Sequence, residues 1–260
     1  PGTLPVLNEA VLEFAVKAGL ALNCAVTRCC RFDRKNYFYP DLPKAYQVSQ
    51  LYLPIARNGR VSIATTAGEK VVRIHELHME EDAGKLVHDP WLDQTRADYN
   101  RCGVPLIEIV SEPDICTPQE AVAYLQKLRA VIAYTGISDC KMNEGSLRCD
   151  VNLSIHKPGQ PFGTRTEMKN LNSFQSVQRA IEEEYRRQVE AVERGETIVQ
   201  ETRRFDQQTG KTSAMRRKEN ANDYRYFPDP DLAPIVTGED TLAAWREELP
   251  VLPDQRKARY

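Results

Sequence analysis

The sequence predicts an α+β fold with a mainly antiparallel sheet and packed helices. Three observations support this prediction: short runs alternate apolar and polar residues, glycine or proline turns separate neighbouring runs, and single amphipathic segments come between the resulting hairpins. A strict strand–helix–strand rhythm, typical of a parallel sheet, is not seen. The 260 residues, 41% of them hydrophobic, suffice for one large domain or two small ones. We assign residues 1–250 to one catalytic domain and residues 251–260 to the start of a truncated helical domain.

Composition narrows the classes of function. The formal net charge of −2 gives the chain no overall electrostatic attraction to nucleic acid. No apolar run reaches the roughly 20 residues that a membrane helix needs, and no signal segment opens the chain, so we expect an intracellular protein without a membrane partner. The seven cysteines include no C-x-x-C pair, which argues against a zinc ribbon or a disulfide framework.

Amphipathic spacing predicts four helices with capping or terminating residues at their ends. Asparagine, threonine or serine at the first position offers a side-chain oxygen to unpaired backbone N–H groups, and glycine permits the left-handed turn that ends a helix. Residues 252–260 are expected to begin a fifth helix. The four are Leu7 to Cys24 with Asn8 as the cap, Thr117 to Gly136, Ser173 to Gly195, and a short helix around Leu242 that includes Trp245.

β-Branched and alternating runs predict the strands. Glycine turns divide the stretch from Gly59 to Met79 into two or three strands. The segment Gly163 to Ser173 alternates like the run Glu144 to His156 before it, so we expect these two to pair as a hairpin. A further, basic hairpin is expected from Thr197 to Asp206 and Lys211 to Lys218.

The run from Glu144 to His156 is the strongest candidate for a functional strand. Its alternation places Glu144, Arg148, Asp150 and Asn152 on one face. A carboxylate, a carboxamide and a guanidinium in register are typical of a site, although an ordinary antiparallel strand with a polar outer face accounts for the alternation equally well. A regular strand would separate Glu144 from Asp150 by roughly 20 Å, so the two would not share one metal ion.

Two acidic features nearer the N-terminus also suggest chemistry. Glu108 lies between Ile107 and Ile109 in an apolar strand, where a carboxylate is costly unless it is paired, metal-bound or protonated. The string HMEEDAGK, His78 to Lys85, resembles a metal or phosphate loop in composition. A solvated acidic turn is the commoner explanation of such a string.

An aromatic and basic segment runs from Arg31 to Gln47. Its basic, amide and aromatic groups could stack a base and hold phosphate. Tyrosines buried in a long ordered loop would give the same composition.

Several strings together resemble the B subunit of the glutamyl-tRNA(Gln)/aspartyl-tRNA(Asn) amidotransferase family. The resemblance implies a catalytic domain whose fold is similar to glutamine synthetase. It further implies ATP- and Mg²⁺-dependent phosphorylation of the side-chain carboxylate of a mischarged glutamate or aspartate on tRNA, followed by amidation with ammonia. The implied partners are mischarged tRNA, the A subunit, which is an amidase, plus the small C subunit, in the cytoplasm or an organellar matrix. The strings are RFDRKNYFYPDLPKAYQ, HMEEDAGK, VPLIEIVSEPD, EGSLRCDVNLS, KNLNS, QETRRFD, MRRKE and DYRYFPDPDL.

This chemistry suggests roles for particular residues. Magnesium prefers carboxylate and water ligands, and carboxylates on neighbouring strands can share an ion, so Glu81, Glu108 and Asp150 are the candidate metal ligands. Arg148 could hold a phosphate or merely compensate charge. The resemblance places Glu81 and Lys35 at the end of an ammonia tunnel, where Glu81 would also accept a proton. The candidate cofactor-binding residues are Asp150, Glu144, Glu167 and Lys169.

Two other interpretations stay open. One is a stand-alone glutamine synthetase-like ligase that acts on a free amino acid. The other is a non-catalytic assembly or RNA-contact module, in which the carboxylates pair with basic side chains. The family's opening strand, with a Glu-x-His motif, would precede Pro1 and its tRNA-gripping domains would follow Tyr260, so we expect this piece to be inactive by itself.

Overall fold

The computed structural model describes residues 4–89, 91–217 and 224–260. These residues form an α+β fold, which confirms the predicted class, and the strand pairs are antiparallel with one parallel exception. Lys218 of the predicted basic hairpin and Asp223 of the aromatic tail string lie outside the described residues, as does Pro1. No helix in the described ranges has both the length and the apolar character needed to cross a bilayer.

The helices and strands are numbered in chain order. The helices are α1 (Glu9–Ala21), α2 (Pro118–Thr135), α3 (Phe174–Glu193), α4 (Glu239–Glu247) and α5 (Pro253–Lys257). The strands are β1 (Ala25–Val26), β2 (Cys29–Cys30), β3 (Asp33–Asn36), β4 (Tyr46–Ser49), β5 (Ala56–Thr65), β6 (Gly68–Glu81), β7 (Lys85–Asp89), β8 (Gln94–Asp98), β9 (Pro105–Ser111), β10 (Val151–Leu153), β11 (Thr166–Lys169), β12 (Glu201–Asp206), β13 (Lys211–Arg217), β14 (Phe227–Pro228) and β15 (Ile235–Val236).

The chain divides into two compact units. The first comprises the described residues of 1–61, 72–114 and 220–260, and the second those of 62–71 and 115–219. The main sheet of the first unit has the strand order β1-β5-β6-β9, and a smaller sheet has the order β14-β3-β4. Helix α1 buries Val16, and the strand side chains Ile74, Leu77 and Met79 are also fully buried in this unit.

The second unit is a four-stranded sheet with two helices. Its strand order is β10-β11-β12-β13, in which β11 and β12 are parallel and the other pairs antiparallel. The predicted hairpin partners are therefore confirmed as β10 with β11 and β12 with β13. Met168 and Phe205 of the sheet pack with Leu125 of α2 and Val177 of α3 in one core cluster.

Capping residues correctly located three helix starts. The side-chain oxygen of Asn8 accepts a hydrogen bond from Ala10 N at 3.0 Å, that of Thr117 from Glu120 N at 3.1 Å, and that of Ser173 from Ser176 N at 3.0 Å. Helix α1 is shorter than the predicted Leu7 to Cys24. The short helix containing Trp245 is confirmed as α4.

The long strand predicted from Glu144 to His156 is wrong, because only Val151–Leu153 is a strand. Residues before it form a turn: Gly145 takes the left-handed conformation, with φ 76°, and Ser146 N donates to Lys141 O at 3.1 Å. The Ser146 hydroxyl also accepts from Lys141 N at 2.9 Å. Such local side-chain hydrogen bonds compete with a strand ladder, and period-two spacing does not reveal them.

The environment of the acidic residues in the first unit also differs from expectation. Strand β6 continues through His78 to Glu81, so the acidic string does not begin as a loop. Strand β9 lies at the edge of its sheet rather than in the centre. The Glu108 side chain is accordingly 54% exposed, which lowers the cost of placing a carboxylate in this apolar strand.

Candidate functional site

A histidine–carboxylate cluster forms where β6 pairs with β9. Alternation along β6 places Glu76, His78 and Glu80 on one face, and the antiparallel register sets Glu108 opposite His78. His78 Nε2 lies 3.5 Å from an oxygen of Glu108 and 3.7 Å from one of Glu80, while its Nδ1 lies 3.3 Å from Glu76. Four ionisable groups thus meet on one sheet face.

The His78 imidazole is buried, with 8% of its surface exposed. Burial by itself lowers the pKa of His78, but the carboxylates of Glu108, Glu76 and Glu80 raise it to about 11. The imidazolium and its neighbouring carboxylates therefore stabilise one another. His78 Nδ1 makes no well-directed hydrogen bond to any described residue, so its hydrogen-bonding capacity is not saturated.

His78, Glu80 and Glu108 suit a divalent cation. One ligand atom of each lies within 4.8 Å of the others. Two carboxylates and an imidazole are a donor set for Mg²⁺, Mn²⁺ or Zn²⁺, with the oxygens favouring the first two. A metal ligand must be a neutral imidazole, so a bound cation would take the place of the imidazolium proton.

An aromatic and cationic group of side chains belongs to the same unit. Lys35 Nζ lies 4.9 Å from the ring centre of Tyr224 and 5.5 Å from that of Tyr37. Burial, followed by the charges of Asp41 and Glu80, raises the pKa of Tyr37 to about 12. Burial and the charge of Glu80 likewise raise the pKa of the Tyr226 hydroxyl. Both phenols are therefore protonated at neutral pH and available as hydrogen-bond donors.

Glu81 takes a different position from Glu80. As the next residue of β6, it points to the opposite face of the strand. Its carboxylate accepts from Val48 N at 3.0 Å and pairs with the ammonium of Lys44. Gln47 donates to the Glu81 carbonyl at 2.8 Å, which fixes this end of β6 against β4.

In the second unit, β10 and β11 bring together three of the predicted site residues. Lys169 Nζ lies 2.6 Å from Asp150 Oδ2 and 3.7 Å from Glu167 Oε1. The Thr202 hydroxyl of β12 donates to Glu167 at 3.1 Å. Asp150, Glu167 and Lys169 therefore occupy one polar face of this sheet.

Glu144 and Arg148 lie apart from regular structure. Glu144 is in the turn before β10, where Lys141 Nζ contacts it at 3.1 Å. Arg148 is exposed, two residues before Asp150. Asp150 belongs to the second unit and Glu81 and Glu108 to the first. The grouping of Glu81, Glu108 and Asp150 around one metal ion stays a prediction.

Sequence analysis missed His78 and Glu80 as members of the cluster. The alternation Glu76-x-His78-x-Glu80 would have identified them, because it continues the period of β6. The acidic string that contains Glu80 resembles a turn in composition, which obscures this period.

Comparison with known proteins places this geometry in a family. The model of the family described as GatB/GatE catalytic domain matches residues 1–243. The chain is 62% identical over 261 residues to the B subunit of the aspartyl/glutamyl-tRNA(Asn/Gln) amidotransferase of Lachnoclostridium phytofermentans and 60% identical to that of Agathobacter rectalis, covering 100% of this chain and 55% of each relative. The corresponding subunit of Caldicellulosiruptor saccharolyticus is 57% identical, with 54% of it covered. The chain thus spans about half the length of these curated relatives, and it belongs to the GatB/GatE catalytic domain family.

Proposed function

We propose that this chain is the catalytic domain of a tRNA-dependent amidotransferase subunit, in a complex with an A subunit, which is an amidase, plus a small C subunit. It would phosphorylate the side-chain carboxylate of glutamate or aspartate on a mischarged tRNA, using ATP. Ammonia released from glutamine would then displace the phosphate to give the amide. The fold would be similar to glutamine synthetase. The names of the relatives support this class of reaction.

The cluster of His78, Glu80 and Glu108 is the observation that carries the proposal. Phosphoryl transfer requires positioning and neutralisation of negative charge, and Mg²⁺ bound by this cluster would supply the neutralising charge. The half-exposed Glu108 faces solvent, whereas His78 and Glu80 are largely buried and held in place by their strand. The chain therefore offers a rigid pair of ligands and one accessible ligand.

Lys35, the tyrosines and Glu81 support the ammonia step. The protonated hydroxyls of Tyr37 and Tyr226 and the ammonium of Lys35 provide polar groups where ammonia needs a hydrogen-bonding path. A carboxylate such as Glu81 could take the proton of arriving ammonium before the amine attacks. Its pairing with Lys44 and Val48 N holds the carboxylate in one orientation.

The second unit would contribute the nucleotide-binding groups. Asp150, Glu167 and Lys169 are already in contact on one face, and Lys169 is a donor suited to phosphate. Arg148 and Glu144 precede this face along the chain. Their roles in binding nucleotide are part of the proposal.

One observation favours a different function. The ion pairs of Lys169 with Asp150 and Glu167 occupy the same polar face. A non-catalytic assembly or RNA-contact module would use its carboxylates in this way.

Metal binding separates the two functions without a measurement of activity. We expect Mn²⁺, followed by electron paramagnetic resonance as a substitute for Mg²⁺, to bind the full-length protein. Glu108→Gln should weaken this binding by about tenfold or more because it removes a ligand. Glu112→Gln is the matched control, since the Glu112 carboxylate contacts His75 at 2.8 Å and lies outside the cluster. Equal Mn²⁺ affinity in all three proteins would refute the metal site and favour the module.

Activity tests the ammonia step. In the complete complex, Glu81→Gln should reduce amide formation because the glutamine side chain cannot accept the proton. Normal ATP hydrolysis and normal amide formation by this variant would contradict the role of Glu81.

A further inference from the structure

The sheet of the second unit has two chemically different faces, and two consecutive arginines of β12 lie on opposite ones. Arg203 is 8% exposed and its guanidinium Nε lies 3.2 Å from the buried carboxylate of Glu184 on α3. Phe205, two residues on, is fully buried in the core cluster. Arg204 lies between them and is exposed. Alternation therefore puts Arg204 on the outer face, where Thr202 contacts Glu167.

The register places Arg204 directly beside Lys169. These two residues are Cα partners in the parallel β11–β12 ladder, on strands about 4.8 Å apart. Like charges in register across a sheet are unfavourable. Lys169 is compensated by Asp150 at 2.6 Å and Glu167 at 3.7 Å. Arg204 forms no ion pair with any residue in the described ranges.

The nearest carboxylate on the same strand does not relieve this arrangement. Asp206 Oδ1 accepts hydrogen bonds from Gln208 N at 2.8 Å and Thr209 N at 3.2 Å in the turn after β12. These backbone donors, with a smaller contribution from Arg204, lower the pKa of Asp206. Thr202 in turn holds Glu167 near Lys169. The outer face thus has one guanidinium with its donors directed to solvent.

We propose that Arg204 binds a phosphate group, with Lys169 beside it as a second cationic donor. The planar guanidinium offers paired N–H donors that match two phosphate oxygens, and an ammonium one strand away adds a point charge. An anion between the two cations would also remove their mutual repulsion. This inference rests on the proposed function, in which ATP is consumed and tRNA is the substrate carrier. Either ligand would present the phosphate.

Binding measurements on the full-length protein in its complex test the role of Arg204. The probes are a non-hydrolysable ATP analogue with Mg²⁺ and, separately, tRNA. We expect Arg204→Ala to weaken one of these by on the order of 10- to 100-fold, and Arg204→Lys to recover part of the loss, since it keeps the charge but not the paired donors. Arg194→Ala is the matched control because Arg194 is exposed and already paired with Glu196 at 2.7 Å.

The outcomes distinguish the source of the phosphate and the fate of the proposal. A loss confined to the ATP analogue assigns Arg204 to nucleotide, and a loss confined to tRNA assigns it to the RNA backbone. Wild-type affinity of Arg204→Ala for both ligands, with an unchanged melting temperature, would overturn the inference while leaving the amidotransferase function intact. If the wild-type complex shows no ATP-dependent amidation, the proposed function fails, and binding of the two probes still decides the role of Arg204.

Discussion

Replacing Glu184 by glutamine should destabilise the second unit. The Glu184 side chain is fully buried, and its two oxygens are contacted by Arg187 at 2.9 and 2.7 Å. Arg203 lies 3.2 Å away, and the hydroxyls of Thr166 and Thr212 donate at 2.8 and 2.9 Å. This carboxylate joins α3 to strands β11, β12 and β13 from within the unit.

The expected loss follows from the charge that remains. Removing one member of a buried ion pair costs about 3–5 kcal/mol, because the partner charge stays buried and uncompensated. Glutamine keeps the volume of Glu184 and can still accept hydrogen bonds from the threonines. The Arg187 side chain is 29% exposed and regains some hydration. We therefore expect the free energy of unfolding to fall by about 3 kcal/mol, a large part of the 5–15 kcal/mol typical of a domain.

Urea unfolding followed by two probes measures this change. Far-UV circular dichroism reports strongly on α2 and α3, which are the longest helices in the described ranges. Tryptophan fluorescence reports on the first unit, because Trp91 and Trp245 both belong to it. Glu184→Gln should lower the midpoint seen by circular dichroism more than the midpoint seen by fluorescence.

A matched substitution and a pH series complete the test. Glu196→Gln removes an exposed carboxylate paired with Arg194 and should leave the circular dichroism midpoint unchanged. Burial by itself raises the pKa of Glu184, but Arg187, Gln188 and Thr166 lower it below 4.5. A carboxyl whose folded pKa is depressed stabilises fully above its unfolded pKa, and this stabilisation is lost as the pH falls through the folded value. The difference between wild type and Glu184→Gln should thus shrink below about pH 4.5. Equal midpoints for the two glutamine variants at pH 7 would refute the argument.

Two further substitutions test packing and capping. Gly59→Ala should cost about 1–3 kcal/mol in urea unfolding, because the added methyl would lie 2.9 Å from the Leu22 carbonyl oxygen and against the Cys24 sulfur; an unchanged midpoint would mean that β5 can move away from this contact. Thr117→Ala should cost about 1 kcal/mol, since it removes the side-chain acceptor for Glu120 N at the start of α2. Thr117→Ser, which keeps the hydroxyl, should retain most of that stability in the same assay.

Features that depend on local chemistry were predictable from the sequence. Asn8, Thr117 and Ser173 located their helices because a capping oxygen acts within three residues of its own position. The pairing of Gly163 to Ser173 with the preceding strand also followed from proximity in the chain. The turn at Gly145 was missed because alternation of polar and apolar residues looks the same in a strand and in a hydrogen-bonded turn.

The composition of the candidate site depended on information that one strand does not contain. Glu108 drew attention because it interrupts an apolar run, yet only the register of β6 against β9 shows that His78 is its neighbour. Glu80 and Glu81 are adjacent in sequence, and alternation sends the first toward that cluster and the second toward Lys44. In the second unit the same reasoning separates Arg203, which holds Glu184 within the core, from Arg204, which faces outward beside Lys169. Sequence strings identify which polar residues are unusual. Strand register determines which of them can act together, and a one-residue difference along a strand is enough to assign a side chain to structure or to chemistry.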